Sequence, residues 1–156
     1  VVGLAEAAML SACMAGRRFS IVTFATALGP WYEECVRMHG LWERCASIRM
    51  LDGAFADIAS VQEEKEELLL ALSKCAIEED EADVLILGGA PLSGLARKIA
   101  HRIPVPVIDQ IEAAVLQAQT MARLNLRKAT AGTFKRPAAK PTIGLSDALA
   151  ARIEHR

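Results

Sequence analysis

The sequence predicts an α/β protein, a parallel sheet with helices on both faces. Val84-Leu-Ile-Leu87 is a run of four apolar residues, the pattern of a strand buried on both sides. It stops at Gly88-Gly89, and Leu92, Leu95, Ala96 and Ile99 then repeat at helical spacing. Elsewhere short strand-like runs alternate with longer helical patterns, which calls for parallel strands joined by helical crossovers.

Taken in order, the chain enters on Val1-Val-Gly, which has the look of the tail of a strand. The expectation is a fragment, a processed product or a start at an alternative codon. Leu4–Ala15 follows as a helix, with Gly16 suited to its C′ position. Phe19–Thr23 reads as a strand. Gly29–His39 reads as a helix, with Pro30 near its start and Gly40 at its end. Ser47–Leu51 is a second strand. Ser60-Val-Gln-Glu63 has capping-box spacing, and acids crowd the first turn of a helix that runs to about Glu79. After the strand Val84–Leu87, a helix with Pro91 in its first turn runs to about Arg102. Ile103–Ile108 is extended, and its two prolines suit a sheet edge. Asp109 caps the next helix, Ile111–Leu126, with Glu112 three residues on and Ile111, Ala114, Val115 and Ala118 as its apolar stripe. Thr130–Pro141 is a Gly/Pro/Lys/Ala linker, and Ser146–Ile153 forms a short terminal helix.

The 156 residues and 53 % apolar content are enough for one domain with a sizeable core. With a formal charge of −1, nothing suggests a nucleic-acid surface. Arg123 to Lys140 holds six cations, no acid and a single aromatic, Phe134, and reads as a solvated tail. No apolar run is long enough to cross a bilayer, and no secretory leader pattern is present, so no membrane partner is expected. The four cysteines, Cys13, Cys35, Cys45 and Cys75, form no CxxC pair. Cys35 and His39 lie one helical turn apart, but no second pair completes a metal site. All four fall in segments read as helix or helix end, with Cys75 on a stripe with Leu68, Ala71 and Leu72. They read as buried free thiols of a cytoplasmic protein.

The candidate site is the strand end. A strand that stops at Gly88-Gly89 and opens a helix aims backbone N–H groups, those around Gly88, Gly89 and Ala90, at whatever sits above it. Such a site suits a carboxylate, an enolate or a phosphate. A plain β-α turn has the same pattern, and both readings stand. Thr23, at the end of its own strand, adds a hydroxyl, and Thr26 is a further candidate. Glu6 is a possible cleft residue or simply a first-turn acid. Asp109 reads as a cap rather than a catalytic acid, and His101 as a cation at a helix C-terminus. His39 and His155 look peripheral. Trp31 and Tyr32 fit either cleft lining or packing.

These residues resemble the aspartate/glutamate/hydantoin racemase family, and within it the hydantoin and allantoin racemase branch. Val1-Val-Gly-Leu-Ala-Glu-Ala-Ala8 is similar to the family's Gly-x-x-Glu-Ala-Ala segment, and Arg18-Phe-Ser-Ile-Val-Thr23 to the strand after it. Asp83–Leu95 resembles the second active-site loop, Val105-Pro-Val-Ile-Asp109 the following strand and helix start, and Pro141-Thr-Ile-Gly-Leu-Ser146 the C-terminal signature. The resemblance implies a fold of two α/β halves around a cleft, of which this chain is the second. Residues 1–108 would form that lobe, 109–126 a helix returning toward the first lobe, and 127–156 a linker and tail.

In the family each half supplies one cysteine. One acts as thiolate base and the other as thiol acid, on opposite faces of the substrate α-carbon and without a cofactor. Here the strand ends Leu87-Gly88-Gly89-Ala90, so Gly89 stands where the second cysteine belongs, and none of the four cysteines replaces it by position. No catalytic residue and no metal ligand is therefore expected. The leading expectation is a cofactor-independent isomerase of an amino acid or hydantoin-like substrate, inactive as this fragment. Its partners would be a small carboxylate or hydantoin-like ligand and either the first lobe or a second copy of the chain. One alternative is a one-thiol decarboxylase or isomerase relative acting on a small carboxylate. Another is a non-catalytic anion-binding domain or truncated remnant.

Overall fold

The computed structural model of the chain describes residues 1–52 and 60–156. The elements run α1 (Leu4–Ala15), β1 (Phe19–Thr23), α2 (Gly29–Met38), β2 (Cys45–Met50), α3 (Val61–Glu78), β3 (Val84–Gly88), α4 (Leu95–Ile99), β4 (Val107–Asp109), α5 (Gln110–Arg123) and α6 (Asp147–Glu154). Residues Val1–Arg123 form one compact unit and Leu124–Arg156 another. Within the second, α6 is tied to its own approach segment by the Thr142 hydroxyl and N–H, which both donate to the Glu154 carboxylate.

Among the described residues four strands form one sheet in the order β2-β1-β3-β4, every pair parallel. This is the predicted α/β class, and its physical basis is burial. Every residue of β1 and β3 is buried, which an alternating strand could not tolerate. Successive side chains of β3 point to opposite faces. Leu85 and Leu87 join Val22, Leu69, Leu70, Leu95 and Ile99 under α3 and α4. Val84 and Ile86 join Phe19, Ile21, Met9 and Val36 under α1 and α2. The few polar side chains inside bond to backbone or to a neighbouring side chain: the Ser20 hydroxyl meets that of Ser47 across β1 and β2 at 2.8 Å.

Several elements differ from the sequence expectation. The second strand starts at Cys45 rather than Ser47 and ends at Met50, so Cys45 is a strand residue, not part of a helix. The buried face of α3 is Val61, Leu69, Leu70, Ser73 and Ala76, while Leu68 is half exposed. Leu68–Leu72 is apolar throughout, so periodicity alone leaves the face open. Ser73 is admitted to the core because its hydroxyl donates to the Leu69 carbonyl at 2.7 Å. The Ser60 side chain makes no cap bond to the helix backbone, and its hydroxyl bonds the Glu64 carboxylate instead. The helix expected to reach Arg102 is broken into a 3₁₀ turn at Ala90–Leu92, α4, and a second 3₁₀ turn at Ala100–Arg102. Gly94, with φ +84°, separates the first two. Of the extended Ile103–Ile108, only Val107 and Ile108 pair in the sheet, with Asp109. The following helix is Gln110–Arg123, shorter at its end than expected.

Candidate functional site at the ends of the central strands

The chain passes from β1 outward to β2 and then returns to β3 on the other side of β1. The strand order therefore reverses between β1 and β3. In open α/β sheets this reversal leaves a crevice beyond the carboxyl ends of the two strands, where ligands bind. The register places Thr23 opposite Gly88 there, with Asp109 opposite Leu87 on the neighbouring strand. The structure thus brings Thr23, Gly88, Gly89 and Ala90 together at this strand end.

The hydrogen bonds at this edge change what these groups offer. The Thr23 hydroxyl is fully buried and donates to the Gly88 carbonyl at 2.7 Å. Its proton is committed to the loop, not to a ligand. The Gly89 N–H donates to the Gln110 side-chain Oε1 at 3.1 Å. The same oxygen accepts the Tyr32 hydroxyl at 2.7 Å. Burial raises the Tyr32 phenol far above its ordinary range, with the Gln110 bond opposing the shift, so it stays a neutral donor.

Two glycines are needed for different reasons. A Cβ on Gly88 would lie 2.5 Å from the Tyr32 hydroxyl oxygen. Gly89 has φ +120°, a conformation L-residues rarely adopt, and a Cβ there would lie 2.5 Å from the Phe24 ring. Phe24 is itself buried.

Asp109 holds the far end of the loop. Its Oδ1 accepts the N–H groups of Ile111 and Glu112 at 2.8 and 3.1 Å, capping α5 as expected. Its Oδ2 accepts the Gly94 N–H. A cavity of about 400 Å³ on that side is lined by Gly94, Arg97, Asp109, Glu112 and Leu116.

The remaining candidates lie apart. Thr26 is exposed in the 3₁₀ turn after β1. Glu6 faces His39 Nδ1 at 3.5 Å and lines a different cavity with Val2, Leu10 and Met121. Neither hydrogen-bonds the loop. His101 is exposed in the turn after α4. Trp31 is half exposed and edge-on to Tyr32 at 4.8 Å. All four cysteines are free. Burial raises the Cys35 thiol and pushes Cys45 up to about 11. Among the described residues no His/Cys/Asp/Glu group is suited to a metal ion, and no helix is long and apolar enough to cross a membrane.

The residues that sequence reasoning missed are Phe24 and Gln110. The one available signal was position, since Phe24 follows Thr23 at a strand end and Gln110 follows Asp109 at another.

Comparison with known proteins bears on this geometry. The family model for Asp/Glu/Hydantoin racemase matches residues 1–118. A hydantoin racemase of Pseudomonas sp. (strain NS671) is 33% identical over 144 residues, covering 92% of this chain and 58% of its own length. A hydantoin racemase of Paenarthrobacter aurescens is 32% identical over 140 residues, covering 90% and 59%. Among solved structures, allantoin racemase from Pseudomonas fluorescens superposes with a TM-score of 0.77 at 34% identity, covering 90% of this chain and 60% of that one. Allantoin racemase from Klebsiella pneumoniae gives a TM-score of 0.81 at 28% identity, covering 96% and 61%. The chain thus spans about three fifths of the length of these relatives.

Proposed function

Because the chain belongs to the Asp/Glu/hydantoin racemase family, we propose that it is one lobe of a cofactor-independent isomerase acting at the α-carbon of an amino acid or hydantoin-like substrate. On this reading the lobe binds substrate at the β1–β3 strand ends and contributes no acid–base group of its own. One observation carries the second half: at Gly89, the position of the family's second thiol, the backbone has φ +120° and the Phe24 ring occupies the space of a side chain. Inversion needs a proton removed on one face and delivered on the other, and losing one such group typically costs about 100–10,000-fold in rate. A second lobe would have to provide the opposite face. The free thiols support a reducing, cytoplasmic setting.

The same observation favours a second reading, a non-catalytic domain that binds a small oxygen-rich ligand. Chiral chromatography of hydantoins, aspartate and glutamate incubated with the 156-residue chain separates these readings from an intact racemase. No inversion is expected from the chain alone, and robust inversion overturns the proposal. Proton exchange at the substrate α-carbon, restored when a relative's thiol-bearing lobe is supplied, separates the isomerase lobe from the binding domain.

A further inference from the structure

Gln110 is 3 % exposed, yet only half of its amide is satisfied. The Gly89 N–H can only donate, so the atom facing it must be the amide oxygen, and the orientation of the group follows. That oxygen also takes the Tyr32 hydroxyl, which fills both of its acceptor positions. The amide nitrogen carries two N–H donors and has no partner among the described residues. No fully buried side-chain nitrogen or oxygen among the described residues lacks a partner, so this nitrogen must open onto solvent although its residue is buried. It belongs to the same planar group that holds Gly89, and so lies at the β1–β3 strand end.

An amide whose oxygen is fixed by two donors, one of them buried, is a pre-oriented donor, with little left to order when a ligand arrives. We propose that Gln110 is a ligand-contacting residue of this site, its Nε2 donating to an oxygen of the bound molecule while Tyr32 and Gly89 hold Oε1. The inference rests on the reading of the strand end as the substrate site, and deepens it by naming the group that reads the ligand. The chemistry recognised is an oxygen acceptor, either a carboxylate or a ring carbonyl of hydantoin type. Gln110 also explains why the glycine loop does not present all of its N–H groups: one is spent on positioning the amide.

The test is a two-dimensional ¹H–¹⁵N NMR titration of the 156-residue chain, with hydantoin in one arm and acetate in the other. The Gln110 side-chain NH₂ pair is assigned in the wild-type chain from its nuclear Overhauser contacts to the Gly89 amide and the Tyr32 ring, and its loss in Gln110→Glu checks the assignment. It is expected to shift together with the backbone amides of Gly89 and Ala90, and the arm that moves it identifies the acceptor. Gln110→Glu keeps an oxygen for Tyr32 and Gly89 but removes the donors. It should weaken binding of the responding probe about tenfold, the worth of one hydrogen bond, and acetate more than hydantoin because of like charge. If Gly89 and Ala90 shift while the Gln110 pair stays still, the inference is wrong and the reading of the site stands. If neither probe moves any of these signals, the reading of the site fails and the inference with it. The wild-type titration decides both points even if the variant does not fold.

Discussion

The Phe24 ring and the Gly89 backbone exclude a side chain between them: a Cβ on Gly89 would stand 2.5 Å from the ring edge. The glycine at position 89 is therefore required by a neighbouring ring and a backbone conformation together. Gly89→Cys should destabilise the chain by about 2–4 kcal/mol, from enforced positive φ and the steric clash together. Phe24→Ala creates a cavity and costs about 3–5 kcal/mol alone. The double variant should be less destabilised than the sum, because removing the ring removes the clash. Urea denaturation of the four proteins in a double-mutant cycle measures this coupling, and strict additivity would show that the two residues do not compete for the space.

Asp109→Ala removes three hydrogen bonds at once, two at the start of α5 and one to Gly94. A loss of about 2 kcal/mol is expected, more than a helix cap alone typically contributes. Amide hydrogen exchange should quicken at Gly94 as well as at Ile111. Faster exchange confined to α5 would mean that the carboxylate does not restrain the loop.

Asp80 gives the chain a pH dependence of known sign. Its carboxylate is gripped by Arg49, Nε to Oδ2 at 2.6 Å and Nη2 to Oδ1 at 2.9 Å, and these bonds hold its pKa below the usual carboxylate range. A depressed folded-state pKa contributes stability that is present in full above the unfolded value of about 4 and is lost as pH falls through the folded one. Asp80→Asn should cost about 1 kcal/mol at pH 7, a modest figure because water reaches the pair. The gap between wild type and variant should narrow as the pH falls below about 4, and a gap that does not narrow at all in acid would assign it to something other than this ion pair.

Helix α5 is buried on Ala113 and Ala114 but exposes Val115, Leu116 and Met121. The three are spread around the helix rather than along one stripe, and exposed apolar side chains of this size favour association. Light scattering should show that the chain self-associates with rising concentration, and that Val115→Glu with Met121→Lys suppresses it. A wild-type chain that stays monomeric at high concentration would remove self-association from the account.

How much of this was legible in the sequence depends on range. β3 was readable to within a residue, because a strand buried on both faces needs an unbroken apolar run and Val84–Leu87 supplies one. The end of that strand was readable too, since Gly88-Gly89 interrupts the run. The face of α3 was not, because five consecutive apolar residues fit more than one stripe. The break at Gly94 was hidden by apolar spacing that continues across it. What the sequence could not show is who meets the loop. Gln110 lies 21 residues from Gly89 and 78 from Tyr32, and only the sheet register brings them together.

Asp109 and Gln110 are adjacent in sequence, and each reaches back into the glycine loop, one at Gly94 and the other at Gly89. Two anchor points on successive residues leave the loop no hinge of its own relative to the first turn of α5. Beyond Ala114 the helix is largely exposed, and Gln117 and Met121 stand beside Ala7 and Leu10 of α1. Whatever shifts the first turn of α5 therefore shifts its bonds to Gly89 and Gly94 together, and the helix start and the glycine loop share one set of fastenings.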